Sequence, residues 1–302
     1  MSKQEEIILE ETGIQIKYKP IAFALVSLLV VFFLYQLVGG GITVYLFGAI
    51  PTSDRTLAFR LATMLAEFVF ILIPTYFLTR IQTKDWKSFL RFKKTDWYYI
   101  VLAVIGVIAL QQLLELYLYL QGLIPLPPQI KHIVDALQQT ISQTYKVLLT
   151  AHNPLEFSIV VLIVAVTPAI CEETLFRGLV QSNFEIPMSK KKAMIWTGII
   201  FGAYHLDPFT FVALCVLGIY LSYLVSSTGS ILVPMAAHFT NNFLSALVLY
   251  VSGKDSIIAP SGSQRLGVGY VIIWSLILAA IFIMTLRLMK NYSQKLWEVK
   301  EL

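Results

Sequence analysis

The sequence predicts an all-α, polytopic membrane protein with about eight transmembrane helices and a polar cavity inside the bilayer. Three observations carry this prediction. Of the 302 residues, 57% are hydrophobic and the mean hydropathy is +0.73, so the chain has too few polar residues to cover a soluble domain. The apolar residues form long runs. Lys and Arg gather in short clusters between those runs, which indicates membrane topology and not a nucleic-acid surface, despite the net charge of +5.

The first span follows a polar tail at residues 1–20 and runs to about Val38, where three consecutive glycines loosen it before a further apolar stretch that ends near Pro51. Residues 129–152 carry apolar side chains at helical spacing among Lys, Gln and Asp, which predicts an amphipathic helix on the membrane surface. Asp207 and Pro208 end the fifth span. The other spans are expected near residues 57–78, 98–120, 157–182, 193–205, 209–225, 231–251 and 268–286.

Charge asymmetry gives an orientation for this transmembrane domain, residues 21–286. Eight spans place both termini on one side, and sixteen Lys and Arg residues fall on that side against five on the other. Positive charge favours the cytoplasmic side of a membrane. We therefore expect an integral, multi-pass protein of the plasma membrane, with the tails at residues 1–20 and 287–302 in the cytoplasm.

Three charged residues stand inside the fourth apolar run, from Phe157 to Val180. They are Glu172, Glu173 and Arg177. Ionised groups in hydrocarbon cost several kcal/mol or more unless they are paired or face a wet cavity, so such a cluster marks a candidate functional site. Glu173 and Arg177 are four apart and can form an ion pair, whereas Glu172 is rotated by about 100° from Glu173. We expect Glu173 to be structural and Glu172 to be free for chemistry.

The remaining polar residues in or near the spans have ordinary explanations. Arg60 and Glu67 are seven apart, and we expect them to satisfy each other or a neighbouring helix. Glu115 is expected to be structural or interfacial. His132 and His152 lie in the amphipathic region, where we expect solvated side chains.

Two other histidines and an amide complete the candidate site. His205 lies in the fifth span, and His238 and Asn242 lie one helical turn apart in the seventh. With a rise of about 1.5 Å per residue, these three residues and Glu172 all fall roughly 14 to 20 Å from the cytoplasmic ends of their helices. Polar groups from three spans that converge at one depth imply a water-filled catalytic cavity.

Such a set suits acyl transfer to water. Glu172, with His205, would deprotonate or orient the water, and His238 and Asn242 would donate hydrogen bonds to the oxyanion. Alternatively, Glu172, His205 and His238 could hold a divalent metal such as zinc. We favour direct activation of water with no required cofactor, because the chain has no HExxH pair and Asn242 is a poor zinc ligand.

The same residues carry a family resemblance. Glu172 to Arg177 resembles the EExxxR motif, Phe201 to His205 the FxxxH motif, and His238 to Asn242 the HxxxN motif of the CPBP family, the CAAX proteases and bacteriocin-processing enzymes. The matched core covers about residues 157–251. The resemblance implies an eight-helix intramembrane endopeptidase like the eukaryotic enzymes that remove the last three residues of prenylated CAAX proteins.

By this resemblance, Glu172 and His205 activate water, His238 and Asn242 form the oxyanion site, and Glu173 with Arg177 braces the helix. The expected partners are the lipid bilayer and a membrane-associated or lipidated protein or peptide substrate, with no nucleic acid. The family has been described both as metalloproteases and as glutamate-dependent proteases, so it leaves the metal question open.

Two other functions are consistent with the sequence. The protein could be a non-catalytic membrane scaffold or a bacteriocin self-immunity protein, whose polar core only holds the helices together. It could also be a proton-coupled transporter that uses Glu67, Glu115 and Glu172. Replacement of Glu172 by Gln separates the first alternative from a protease, and pH-driven flux separates the second.

Overall fold

The computed structural model describes residues 13–48, 51–252 and 268–298, and within them the chain is helical, with no strand. The predicted loop at 253–267 and the outer residues of both tails lie outside these ranges. The all-α prediction is confirmed. Nine helices of fifteen residues or more form the described part: α1 Pro20–Phe47, α2 Thr56–Gln82, α3 Trp97–Gly122, α4 Pro128–Leu149, α5 Pro154–Glu185, α6 Lys190–Tyr204, α7 Phe211–Thr228, α8 Leu232–Ser252 and α9 Val268–Glu298.

Seven of the helices in the described residues are long and apolar enough to cross a membrane: α1, α2, α3, α5, α7, α8 and α9. These helices make the protein an integral, multi-pass membrane protein. The predicted fifth span is the helix α6, which has 15 residues and a length of about 22 Å. The helix α6 is therefore shorter than the roughly 30 Å hydrocarbon core of a bilayer. The amphipathic helix predicted at residues 129–152 corresponds to α4.

The predicted end of the first span is wrong. The helix α1 continues through the three glycines to Phe47, because a wider helical turn over Phe33–Gly39 leads directly into the segment Gly40–Phe47. Backbone groups inside a membrane have no water to bond, so the chain keeps its helical hydrogen bonds even where glycine weakens the helix. The helix ends at Gly48, which has a positive φ of 79°.

Glycines bring α6 and α7 into close contact. A Cβ atom added to Gly198 would lie 2.5 Å from the Ile219 backbone nitrogen, and one added to Gly202 would lie 2.9 Å from that of Cys215. On the partner helix, a Cβ at Gly218 would lie 2.9 Å from the Cα of Gly198. Small residues of this kind allow helix backbones to approach closely in membranes. The short α6 is therefore held against a full-length neighbour.

The helix α5 departs from regular α-helix on both sides of the segment that carries Glu172 and Glu173. Wider turns cover Leu162–Val166 and Thr174–Val180, and regular helix covers Thr167–Glu173 between them. Pro168 contributes to this break, since it has no N–H to donate to the carbonyl of Val164. Such local widenings occur frequently at functional sites, where they re-aim side chains.

Arg60 connects three helices near the start of α2. Its guanidinium donates to Glu156 at the start of α5 at 3.1 Å, to the carbonyl of Val147 in α4 at 3.1 Å, and to the carbonyl of Thr150. Arg60 is thus satisfied by neighbouring helices, as expected. Glu67, seven residues further along α2, takes no part in these bonds. Its Oε2 atom has no hydrogen-bond partner among the described residues, so the expectation that Glu67 pairs with Arg60 is wrong.

Candidate active site

The aromatic ring of Phe201 lies at the meeting point of the three motif-bearing helices. Its centroid is 4.7 Å from that of His205 and 5.9 Å from that of His238, and the Arg177 guanidinium carbon lies 4.5 Å above the ring. The side chain is almost fully buried. Phe201 therefore contacts residues of α5, α6 and α8. The sequence predicted only that these residues lie at a similar depth in the membrane.

Glu172 and His205 face each other across this meeting point. Glu172 Oε2 lies 3.8 Å from His205 Nε2, and the side chains are 18% and 26% exposed, respectively. The other ring nitrogen, His205 Nδ1, is 2.8 Å from the carbonyl oxygen of Phe201. Because a carbonyl can only accept, Nδ1 is the donor, and Nε2 of the neutral ring presents its lone pair toward Glu172.

The chain reverses immediately after His205, which ends α6. Leu206 has a φ of +54°, a backbone conformation that is unusual for a large side chain. The turn that follows is closed by Asp207, whose carboxylate accepts from the Phe209 backbone N–H at 2.9 Å and from the Thr210 hydroxyl at 2.7 Å. The helix break predicted at Asp207 and Pro208 is confirmed.

Glu173 is sealed in the interior, although it is the next residue after Glu172. Glu173 and Arg177 are both 0% exposed, and Arg177 Nη1 lies 2.8 Å from Glu173 Oε1. The expected ion pair is therefore present. Arg177 also donates to the carbonyl of Gly218 in α7 at 3.0 Å. The pair ties α5 to the close-packed helices α6 and α7.

His238 joins the same buried network. Its Nδ1 lies 2.7 Å from Glu173 Oε1, and because a carboxylate only accepts, Nδ1 is the donor. Sequence reasoning missed this bond, since spacing within one helix says nothing of contacts between α5 and α8. Glu173 thus orients a candidate site residue in addition to pairing with Arg177.

Asn242 is fixed by the break in α5. Its Nδ2 donates at 2.9 Å to the carbonyl of Val164, the carbonyl that Pro168 leaves without its usual helical donor. Its Oδ1 accepts from Asn241 Nδ2 at 3.1 Å. Since an amide nitrogen carries two hydrogens, Asn242 keeps one N–H for a further acceptor.

Three tyrosines that the sequence did not single out surround Glu172. Tyr35 in α1, Tyr145 in α4 and Tyr204 in α6 all interact electrostatically with its carboxyl group. Tyr145 lies outside the membrane spans and exposes part of its ring. Desolvation raises the pKa of its hydroxyl, and the carboxyl groups of Asp207 and Glu172 raise it further. The amphipathic helix α4 therefore reaches the site.

Three other residues that the sequence analysis weighed lie apart from this group. Glu115 in α3 is exposed, and its carboxylate accepts from Gln112 at 3.5 Å. His132 and His152 are both exposed, as expected. In the described part of the chain, none of the three forms a hydrogen bond or ion pair with the side chains of the four candidate residues.

The candidate metal ligands can be checked within the described residues. Among residues 13–48, 51–252 and 268–298, no group of three or more His, Cys, Asp and Glu side chains is arranged to hold a metal ion. Glu172, His205 and His238 are thus not grouped as ligands, and Nδ1 of each histidine is engaged with an oxygen.

The fold and this site define a polytopic helical membrane protein with a carboxylate, two imidazoles and an amide assembled between its spans. Residues 154–244 match the family model described as type II CAAX prenyl endopeptidase Rce1-like. The match covers the three motifs and nearly the whole predicted core. In this segment the chain is similar to the CPBP family of intramembrane proteases. Comparisons with curated proteins and with solved structures gave no match.

Proposed function

We propose that the protein is an intramembrane endopeptidase that cleaves membrane-associated or lipidated, CAAX-like substrates with water activated by Glu172 and His205. The observation that carries this proposal is the approach of Glu172 Oε2 to His205 Nε2 at 3.8 Å in a partly open site. A carboxylate and a neutral imidazole at this separation leave two acceptors for the two hydrogens of one water molecule.

The reaction follows from these atoms. The oxygen of the water attacks the scissile carbonyl carbon while Glu172 accepts one of the water's protons. His205 Nε2 accepts a hydrogen bond from the other hydrogen of the water. The carbon–nitrogen bond then breaks, and the proton on Glu172 passes to the departing amine. His205 keeps its orientation throughout, because Nδ1 is bonded to the Phe201 carbonyl.

The developing oxyanion requires hydrogen-bond donors on the other side of the carbonyl. Asn242 has one N–H left for this task, since its other N–H is bonded to Val164. His238 can donate from Nε2 only when both ring nitrogens carry hydrogen, because Nδ1 already donates to Glu173. The Glu173 carboxylate offsets the positive charge of that form, as a carboxylate does for a catalytic histidine in other hydrolases.

The substrate reaches the site from within the membrane or its surface. The catalytic helices α5 and α8 are long and apolar enough to span the bilayer, and α4, next to the site, exposes the apolar side chains of Ile130, Ile133 and Leu137. A lipid-attached or membrane-embedded peptide is concentrated at such a surface. We place the protein in the plasma membrane with cytoplasmic termini, as the charge asymmetry indicates.

Comparison of protein termini in cells tests this function. Peptide mass spectrometry is applied to cells that carry the wild-type protein and to cells that carry Glu172→Gln at equal abundance. New termini that depend on Glu172 would establish proteolysis and identify the substrate. Glu115→Gln is the matched control, because it removes a carboxyl group from another span, outside the site.

A purified system then tests substrate choice. Peptides with and without a prenyl chain on the same sequence are offered to the protein in proteoliposomes. We expect faster cleavage of the lipidated peptide. Identical termini in wild-type and Glu172→Gln cells, with any cellular effect preserved in the variant, would instead support a non-catalytic scaffold or self-immunity role.

A further inference from the structure

Glu67, near the middle of α2, is a buried carboxyl group that the proposed chemistry does not yet use. Its side chain is 7% exposed. Within the described residues, its Oε2 atom has no hydrogen-bond partner. A carboxyl group that is desolvated in a membrane span and left unpaired costs several kcal/mol, so its retention needs a reason.

Nearby cations do not supply that reason. Arg60, the cation on the same helix, is engaged by Glu156 and by the carbonyls of Val147 and Thr150. In the described part of the chain, the titratable groups that interact with Glu67 are Glu172 and Cys171 of α5 and Tyr35 of α1. All three are acids, so none can neutralise a carboxylate.

Glu67 instead belongs to a helix that packs against the segment of α5 that carries Glu172. The two carboxyl groups interact electrostatically, and α2 packs against the Thr167–Glu173 segment of α5. With a rise of about 1.5 Å per residue, Glu67 is roughly 22 Å from the end of α2 at Gln82, and Glu172 is roughly 20 Å from the end of α5 at Glu185. The Oε2 atoms of both residues are buried and lack a partner among the described residues.

We propose that Glu67 is a positioning residue of the active site, which in its neutral form donates a hydrogen bond, directly or through one water, to the Glu172 carboxylate. Two carboxyl groups in a low-dielectric site are more stable with one of them neutral. The neutral one is Glu67, since Glu172 also faces His205 and is the more exposed of the two. The bond holds Glu172 in the orientation from which it accepts the proton of the water.

This inference rests on the proposed function and adds a residue outside the three motifs. Glu67 is on α2, before the segment at residues 154–244 that matches the family model. It acts through Glu172 and does not touch the substrate. Its loss should therefore change turnover more than substrate binding.

Two substitutions at Glu67 test the hydrogen bond. Glu67→Gln keeps a donor in the amide N–H, and Glu67→Leu removes it at similar size. In proteoliposomes with a cleaved peptide, we expect Glu67→Leu to lower kcat by at least about 10-fold with KM changed by less than about 3-fold, because positioning acts in the transition state. Glu67→Gln should stay within about 3-fold of wild type. Glu115→Gln and Glu115→Leu are the matched controls and should behave as wild type.

Thermal unfolding separates positioning from a structural role. An apolar residue in place of an unpaired buried carboxyl group removes a desolvation cost, so Glu67→Leu should unfold at the same temperature as wild type or higher. Loss of kcat with stability retained supports the proposal. Equal kcat in Glu67→Leu and wild type, or a parallel loss of kcat and thermal stability, would overturn it.

Infrared spectroscopy gives a readout that does not need activity. A neutral carboxylic acid has a C=O stretching band separate from that of a carboxylate, and we expect one such band to disappear in Glu67→Gln and to remain in Glu115→Gln. A band that persists in Glu67→Gln contradicts the neutral form and the proposal. If wild-type protein shows no Glu172-dependent cleavage, the proposed function fails and this inference with it; normal cleavage with no effect at Glu67 refutes the inference alone.

Discussion

Glu172 and Glu173 are adjacent in sequence and have opposite environments. Glu173 is completely buried and bonds through Oε1 to Arg177 and His238, whereas Glu172 is 18% exposed and its Oε2 lies 3.8 Å from His205 Nε2. The difference follows from helix geometry, since consecutive side chains point about 100° apart. One face of α5 therefore stabilises the bundle, and the next face presents a carboxylate to the site.

The comparison shows how a membrane protein can keep an unpaired carboxylate. Glu173, Arg177 and His238 bond to one another and to the carbonyl of Gly218, and these bonds connect α5, α7 and α8. This network fixes the helices, so that Glu172 need not find a structural partner of its own. Polar groups in hydrocarbon are tolerated when they are paired or when they line a cavity, and the two glutamates represent the two cases.

The largest expected effect comes from loss of the Glu172 carboxylate. Glu172→Gln should lower kcat by on the order of 10³-fold to 10⁴-fold, because the amide cannot accept the proton of the water. The thermal unfolding temperature should stay the same, since Glu172 is not part of the buried network. Peptide cleavage in proteoliposomes and thermal unfolding in detergent measure the two quantities, and a clear loss of stability would show that Glu172 is structural.

Glu173→Gln should give the opposite pattern in stability. It leaves the Arg177 guanidinium buried without its counter-charge, and loss of one partner of a buried ion pair costs about 3–5 kcal/mol. Activity should also fall, because His238 loses the carboxylate that orients it. The free energy of unfolding in a mixed-micelle denaturation series is the measurement. A Glu173→Gln protein as stable as wild type would contradict the division between the two glutamates.

An intermediate effect is expected at the oxyanion side. Asn242→Ala should lower kcat by about 10²-fold to 10³-fold, the usual cost of one oxyanion donor. Asn241→Ala is the matched control. Asn241 also has an amide side chain, and within the described residues that side chain bonds only to Asn242. We expect it to reduce kcat by less than about 5-fold. Equal losses in the two variants would mean that Asn242 acts only by holding α5.

Much of this arrangement was visible in the sequence, for physical reasons. Long apolar runs must cross the bilayer, so helices at the predicted positions followed from hydropathy alone. Glu173 and Arg177 are one turn apart on one helix, and their pairing is therefore a local property that spacing predicts. The motifs on three spans also indicated the site, because charged and imidazole side chains are rare in hydrocarbon.

Contacts between helices were not accessible in the same way. The bond from His238 to Glu173 and the approach of Glu67 to Glu172 depend on how α8 and α2 pack against α5, which no spacing within one helix reports. The sequence also predicts too short a first span, because glycine weakens a helix in water more than it does in a membrane. The bilayer removes water as a competing partner for the backbone, so α1 continues to Phe47.

The smallest effect is expected from a change in the close contact between α6 and α7. In Gly198→Ala the new Cβ would lie 2.5 Å from the Ile219 backbone nitrogen, so α6 must shift away from α7. Overpacking of this kind costs about 1–3 kcal/mol. A shift of α6 also moves His205 relative to Glu172, so kcat should fall together with the free energy of unfolding.

Gly122→Ala at the end of α3, where no atom lies within 4 Å of the added Cβ, is the control and should leave both quantities unchanged. If Gly198→Ala lowered stability without any loss of kcat, the position of His205 would be independent of the contact between α6 and α7.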